Sequence, residues 1–277
     1  ADDRDAVFAM VADVWDGTDY IPQVWDKWLH ATDGPLLVGE REQLPVALCK
    51  LTALGPHEDW LEGVRVASSA RGQGLARQLI RQTVELSRQR GKRTLRFQTS
   101  EENPTMHRLG EELGFKLNAR LALYGATQIE RPALYAPLDP ALLPTLLDDL
   151  ARSAPLEANG GLYTYRWTTM ELNEDRLRAH LAQGEVVGLA GERAWAIITS
   201  TPYGGFWIGH IEGKGEQVVR LLDALRHTPA QYTPLAPEAA FFCRAHVVPD
   251  TPILPELLAA GYTRGQNDAR VYEVRLL

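Results

Sequence analysis

The chain has 277 residues, enough for roughly two domains of about 150 each, and its 45% hydrophobic and 23% charged composition excludes disorder. A net charge of −7 excludes general binding to nucleic-acid phosphates, although a local basic patch could still hold one phosphorylated cofactor. No apolar run reaches the roughly 18–20 residues of a membrane span, and the two cysteines, Cys49 and Cys243, sit singly in apolar runs, leaving no disulfide framework or C-x-x-C metal pair and making the cytoplasm the expected compartment.

In chain order, residues 2–16 predict a helix capped by Asp2 or Asp3, with Val7, Met10, Val11, Val14 and Trp15 on one face at 3/4 spacing. Gly17 ends it, and a short helix within 18–31 gathers Trp25, Trp28 and Leu29. The period then changes: 35–42 and 44–54 read as strands joined by a turn near Glu42 and Gln43, and 60–66 as a third strand. Residues 75–90 form an amphipathic helix with Leu75, Leu79, Thr83 and Leu86 on one side, stopped by Gly91. A strand follows at 94–99. Asn103 caps the next helix, with Pro104 at its first position and Gly114 at its end, and 120–126 is another strand. After a linker near 128–132 the second half repeats this order in degraded form: a helix at 140–153, a strand pair at 184–201, a strand at 206–213, a helix at 216–226, a strand at 239–248, a helix and turn at 254–264, and a closing strand at 269–277. The matching order predicts a duplication.

The chemistry-bearing stretch runs from Val66 through Arg71, Gly72, Gln73 and Gly74 to Leu75 and Ala76. A strand ends, a glycine loop follows and a helix begins at once. Backbone N–H groups of such a loop converge with the free amides and positive dipole end of the new helix, which makes a cradle for a pyrophosphate, and Arg71 and Arg77 can add positive charge. The Gly-Lys-Ser/Thr of a Walker loop is absent, and so is the last glycine of a full dinucleotide-binding G-x-G-x-x-G.

The stretch resembles the GNAT acetyltransferase family, whose signature is a strand ending in Val, then Arg/Gln-x-x-Gly-x-Gly/Ala, then a helix; Val66, Arg71, Gly74 and Ala76 match it in register, and Asn103 and Gly114-Phe115 match its later part. The resemblance covers 2–126, and the family's first strand would lie before Ala1. It implies an α/β (α+β) chain of two tandem GNAT-type domains, 1–128 catalytic and 129–277 degenerate, each a mixed, mostly antiparallel sheet flanked by helices. It implies acetyl-CoA as co-substrate, its pyrophosphate on the amides of Gly72, Gln73, Gly74, Leu75 and Ala76. Its pantetheine would pair with the strand at Val64–Val66, where a main-chain N–H would polarise the thioester carbonyl. Asn103 would bond the pantetheine or a water.

Direct attack by an amine needs a general base. Glu62 is the candidate, four residues before Val66 and hence on the same face of a regular strand; the other reading is a salt-bridge carboxylate. The family commonly has Tyr seven residues after the Asn as general acid, and here that position is Gly110, which leaves His107 or Tyr124, or no protein acid at all; Gly110 itself could make space for cofactor or substrate. The second half offers Glu212-Gly-Lys-Gly-Glu216 in place of the loop, and carboxylates beside a pyrophosphate repel it, so that domain is expected to bind no CoA and to wall the substrate cleft or serve structure alone.

Asp19-Tyr20-Ile-Pro22 with Trp25 and Trp28, together with Glu62-Gly63-Val-Arg65-Val66, is similar to histidine N-acetyltransferase-like members of the family. That implies an amino-acid α-amine as acceptor, with Tyr20 and Trp25 near it and Arg65 facing a carboxylate. The expected function is N-acetylation of a small-molecule amine or amino acid by a monomer or homodimer, without metal, nucleic acid or membrane. Peptide or protein N-terminal acetylation and a non-catalytic acyl-CoA-binding module are the alternatives.

Overall fold

A computed structural model describes residues 3–201, 205–228 and 241–276; Asp2, the Trp15 side chain and the opening residues of the strand expected at 239–248 lie outside the described residues. The chain divides into two compact units, Ala1–Asn118 with Val271–Leu277, and Ala119–Arg270. The sequence placed the boundary ten residues later and left the C-terminus in the second half. The difference has a packing cause: Tyr272, Val274 and Leu276 are buried in the apolar cluster of the first unit.

The first unit opens with α1 (Arg4–Val11) and α2 (Ile21–His30). The helix expected to reach residue 16 ends at Val11 and gives way to a 3-10 turn at Val14–Gly17, and Asp3 makes no side-chain cap. Strands β1 (Leu36–Arg41) and β2 (Leu44–Ala53) form an antiparallel hairpin, with Glu42 and Gln43 both in the left-handed region at φ 52° and 64°. A two-residue turn of that kind matches the twist of the strands it joins. Next come β3 (Glu58–Val66), α3 (Leu75–Gln89), β4 (Thr94–Ser100) and α4 (Pro104–Glu112). β2 pairs antiparallel with β3, and the α3 crossover makes β3 and β4 parallel.

The sheet of this unit is covered on both faces. Ala47, Cys49, Leu51, Leu61, Leu95 and Phe97 pack against Leu79, Ile80 and Val84 of α3 and Leu109 of α4. Leu48, one residue out of phase on β2, packs on the other face with Val7, Val11, Ile21, Trp25 and Trp28 of α1 and α2. Burying each such large side chain contributes about 1.5–3 kcal/mol. Phe97 is clasped between Phe115, edge-on at 5.1 Å, and Tyr272, stacked at 5.2 Å and 9°. Arg96 fastens the base of the sheet, bonding Glu58 of β3 on one side and Glu273 (2.6 Å) on the other.

The second unit holds β5 (Lys116–Ala126, from Ala119 on), β6 (Ile129–Glu130), β7 (Tyr135–Pro137), α5 (Leu143–Leu150), α6 (Ala154–Ala158), β8 (Leu162–Tyr165), β9 (Thr168–Glu171), α7 (Glu174–Ala182), β10 (Val186–Leu189), β11 (Trp195–Ser200), β12 (Phe206–Glu212), α8 (Glu216–Leu225), β13 (His227–Thr228), β14 (Cys243–Val247), α9 (Leu254–Ala259) and β15 (Thr263–Arg264). Its pairing repeats that of the first unit: β10 and β11 antiparallel, β11 and β12 antiparallel, then a crossover through α8 to β14, parallel to β12. The sequence had no reading for α6, β8, β9 and α7. They bury Leu156, Leu162, Met170, Leu177 and Leu181, and His180 adds polar contacts, 2.7 Å from the Tyr163 hydroxyl and 2.6 Å from Glu185. Both cysteines are buried, and burial pushes each thiol up to about 12.

Tyr272 is fully buried. Tyr272→Ala is expected to destabilise the first unit by about 3–5 kcal/mol, read as a lower midpoint in thermal and urea unfolding; a midpoint equal to that of the parent protein would show that the C-terminal strand does not hold this core.

Candidate active site

The site is built on β3. Opposite β2, Leu48 pairs with Arg65 but Lys50 pairs with Glu62, two steps on one strand against three on the other. The extra residue is a bulge, and Gly63 absorbs it at φ +65°. Only glycine fits there, because an added Cβ would lie 2.4 Å from the ring of Trp28. The bulge also resets the alternation of the strand. Leu61, Val64 and Val66 face the α3 side, whereas Glu62 joins Thr52 and Lys50 on the side of α2. Regular alternation would have placed Glu62 and Val66 on one face, and the bulge separates them.

On the other edge, the parallel ladder to β4 runs only from Glu58 opposite Thr94 to Trp60 opposite Arg96. The register with β4 therefore ends before Leu61, Val64 and Val66. The strand then leads into a turn at Ser68–Ala70 and the glycine loop. Gly72 and Gly74 have φ +77° and +80°, and a Cβ at either would meet nothing within 4 Å, so the loop is open above both. Gly74 starts α3 with no side-chain cap, and the first helical bond is Gln78 N–H to Gly74 O at 3.0 Å. The amides of Leu75, Ala76 and Arg77 thus have no acceptor within the helix and carry its positive dipole end. Arg71 is exposed beside the loop. The Arg77 guanidinium turns away from the loop to Glu112, and Arg41, which the sequence did not single out, bonds Gln73 at 3.2 Å.

On the α2 side, Arg65 Nε donates to Asp19 Oδ2 at 2.6 Å and Nη1 to Val64 O at 3.1 Å. Asp19 also accepts from Ile21 N–H at 2.9 Å, fixing the start of α2. The Arg65 guanidinium lies over the Tyr20 ring at 5.6 Å, and Tyr20 meets Trp28 edge-on at 5.9 Å. Arg65 was expected to face a substrate carboxylate; its charge is instead paired inside the protein, and it braces Tyr20. Burial, with the nearby Glu62 charge, holds the Tyr20 phenol well above its ordinary range and therefore neutral. Burial likewise pushes the Glu62 carboxyl above its usual value, opposed by the Thr52 hydrogen bond and by the charges of Lys50 and Lys27. Thr52 Oγ1 donates to Glu62 Oε1 at 2.9 Å. Lys50 is 1% exposed and spends its three donors on Asp33 Oδ1 (2.8 Å), Gly34 O (3.0 Å) and Leu51 O (2.7 Å). Sequence reasoning missed Thr52 and Lys50 and gave Asp19 no role of its own; a lysine inside the otherwise apolar run 44–54 was the available signal.

The other expected residues are placed differently. Trp25 is 2% exposed, edge-on to Phe8 at 6.1 Å in the α1–α2 core, so it offers no face to a ligand. Asn103 caps α4, accepting from Met106 N–H at 3.2 Å and donating to Thr99 Oγ1 at 3.0 Å, so both ends of its amide are engaged. His107 is buried, with Nε2 bonded to Ser100 O at 3.0 Å and its ring stacked on Tyr272. Tyr124 belongs to the second unit, buried in that unit's own core. The space at Gly110 is filled: an added Cβ would lie 2.8 Å from Phe97 and 3.6 Å from Tyr272. Glycine there makes room for the clasped rings, not for a ligand.

Residues 5–115 match the model of the acetyltransferase (GNAT) family. Over that segment the chain is similar to the family. Two fish proteins named histidine N-acetyltransferase are similar over part of it: that of Oreochromis niloticus is 33% identical over 90 residues, 32% of this chain and 27% of the relative, and that of Scomber australasicus is 34% identical over 86 residues, 31% and 26% respectively. The matched stretch thus spans about a quarter of the length of those relatives. Among solved structures, GCN5-related N-acetyltransferases from Sphaerobacter thermophilus (TM-score 0.64, 13% identical, 99% of this chain and 93% of that one) and Kribbella flavida (TM-score 0.57, 15% identical, 99% and 70%) share the fold across nearly the whole chain.

The GNAT segment and the second unit differ at the loop. The stretch that follows β12 in the second unit has its amides taken by carboxylates: Gly213 N–H donates to Glu212 Oε1 at 3.1 Å and Gly215 N–H to Glu256 Oε1 at 2.8 Å. An anion would have to displace both.

The two arginine pairs of the GNAT segment should respond unequally to deletion. Arg65→Ala strands Asp19, whose side chain is 2% exposed, and is expected to cost about 3–5 kcal/mol. Arg77→Ala breaks a pair exposed on both sides, and its cost should stay below about 1 kcal/mol. Denaturant titration of both variants tests the contrast, and equal losses would contradict it.

Proposed function

We propose that the first unit is the catalytic unit of an acetyl-CoA-dependent N-acetyltransferase that transfers the acetyl group directly to a primary amine, most simply the α-amine of a free amino acid. One observation carries the reading: the edge of β3 beyond the end of its ladder to β4 runs into the open, uncapped loop and the first turn of α3. An extended amide-bearing arm ending in a pyrophosphate suits that pair of features. The edge at Val64–Val66 would take the arm through main-chain hydrogen bonds. The amides of Gly72–Ala76, with exposed Arg71, would take the phosphates. When bound, acetyl-CoA supplies the acyl group as an activated thioester.

Glu62 accepts the proton that the ammonium form of the acceptor must lose before attack. Its position on the α2 side of the bulge separates the base from the Val64–Val66 edge, so the proton passes through a water or through the amine itself as it reaches past Gly63. Tyr20 and Trp28 wall the acceptor side and remain neutral, which suits a small amine entering beside a carboxylate. No side chain at Gly110 can protonate the leaving thiolate, and His107 is held to Ser100 O, so the thiolate takes its proton from solvent. The matched fish relatives support an amino acid as the acceptor class. The second unit, with its loop amides already bonded, serves structure or the acceptor cleft rather than a second cofactor. The unpaired thiols of Cys49 and Cys243 suit a cytoplasmic setting.

Thiol release from acetyl-CoA with a panel of free amino acids, polyamines, aminoglycosides and short peptides tests this. Turnover is expected on free amino acids, reduced about 10²–10⁴-fold in Glu62→Gln. The base works deprotonated and its carboxyl is raised by burial, so kcat/KM should fall as pH drops through a value above the ordinary carboxylate range. Calorimetric binding of acetyl-CoA should vanish in Gly74→Val, which cannot hold φ +80°. Binding without turnover on any amine would favour an acyl-CoA-binding module, and absence of binding would overturn the assignment.

A further inference from the structure

We infer that Thr52 is the positioning residue of this site, holding the Glu62 carboxylate in the one orientation that leaves Oε2 for the incoming ammonium or its water. The inference rests on the reading of Glu62 as the base. Its geometry comes from the register of β2 on β3. Thr52 pairs with Trp60 and Lys50 with Glu62, so Thr52 stands diagonally across from Glu62, within reach of a short side chain meeting a longer one. Its hydroxyl donates to Oε1 at 2.9 Å, and among the described residues Oε2 has no protein partner.

The other charges around the carboxylate cannot do this. Lys50, directly opposite, has all three donors committed to Asp33, Gly34 and Leu51. Arg65 is bound to Asp19 and Val64. Lys27 of α2 and Asp33 act on Glu62 through their charges, in opposite senses, and the neutral Tyr20 lies on the same side. A glutamate has three rotatable bonds and would otherwise swing between these fields. Threonine suits the task because its branched Cβ restricts χ1, so the direction of the hydroxyl is set by the backbone of β2. A donor to the charged form also opposes the rise that burial imposes on the carboxyl.

Thr52→Val removes the donor at nearly constant volume, and Thr52→Ser keeps it. In the full chain, with acetyl-CoA and the amino acid acetylated fastest in the panel, Thr52→Val is expected to lower kcat about tenfold, leave KM for acetyl-CoA unchanged and move the acid limb of the pH profile upward; Thr52→Ser should recover both. A second readout needs no turnover: a titration of carboxyl-labelled glutamate by carbon NMR, with Glu62→Gln giving the assignment, should show the Glu62 carboxyl titrating higher in Thr52→Val and as in the parent protein in Thr52→Ser. Matching unfolding midpoints for the three proteins exclude a folding defect. Full activity in Glu62→Gln would overturn the base reading. Activity lost in Glu62→Gln, with kcat, pH profile and carboxyl titration unmoved in Thr52→Val, would overturn the inference alone.

Discussion

Two parallel strands of one sheet cannot both stay paired and accept a third chain between them, and the first unit resolves this by ending the β3–β4 ladder after Trp60 and Arg96. Strong contacts sit below that point. Arg96 is held by Glu58 and Glu273, and Asp59, fully buried, accepts from Ser87 Oγ at 2.9 Å with Lys92 3.5 Å away. Breaking one partner of such a buried cluster leaves an uncompensated charge, so the base of the sheet is fixed. Above that point the strands owe each other nothing, and β3 exposes an edge where an extended ligand can add as a strand would.

The bulge at Gly63 is the second half of the same device. It turns β3 so that Val64 and Val66 stay packed on the α3 side while Glu62 and Arg65 reach the α2 side. A single inserted residue thereby puts Val64 and Val66 on one side of the strand and the Glu62 carboxylate on the other. The polar groups on the acceptor side are almost all consumed internally: Lys50 by Asp33 and carbonyls, Arg65 by Asp19, Glu62 Oε1 by Thr52. Among the described residues Glu62 Oε2 has no protein partner, and the exposed Lys27 of α2 acts on it through its charge.

Much of this was legible in the sequence because it rests on local rules. The strand–glycine–helix order from Val66 to Ala76, the Asn103–Pro104 helix start and the 42–43 turn are each encoded within a few residues, and all stand where the sequence put them. What was not legible is non-local. Period-two alternation placed Glu62 with Val66 and could not see the bulge, which is a property of register against β2. Trp25 reads as an aromatic at an entrance until α1 is folded over it. Gly110 reads as a vacancy until Tyr272, 162 positions later, stacks on Phe97 beside it. The stretch 154–183 buries only short apolar sets such as Leu177 and Leu181 and adds hydrogen bonds such as Tyr163–His180–Glu185, which leave no periodic trace.

The central claim is that the free edge of β3 and the first turn of α3 together receive acetyl-CoA. Amide hydrogen exchange, read residue by residue with and without saturating acetyl-CoA, tests it most directly. The account predicts slowed exchange at the β3 amides within Leu61–Val66 and at the amides of Gly72–Arg77, with the Glu212–Gly215 stretch unchanged. Protection confined to the second unit, or none in β3 despite measurable binding, would contradict it.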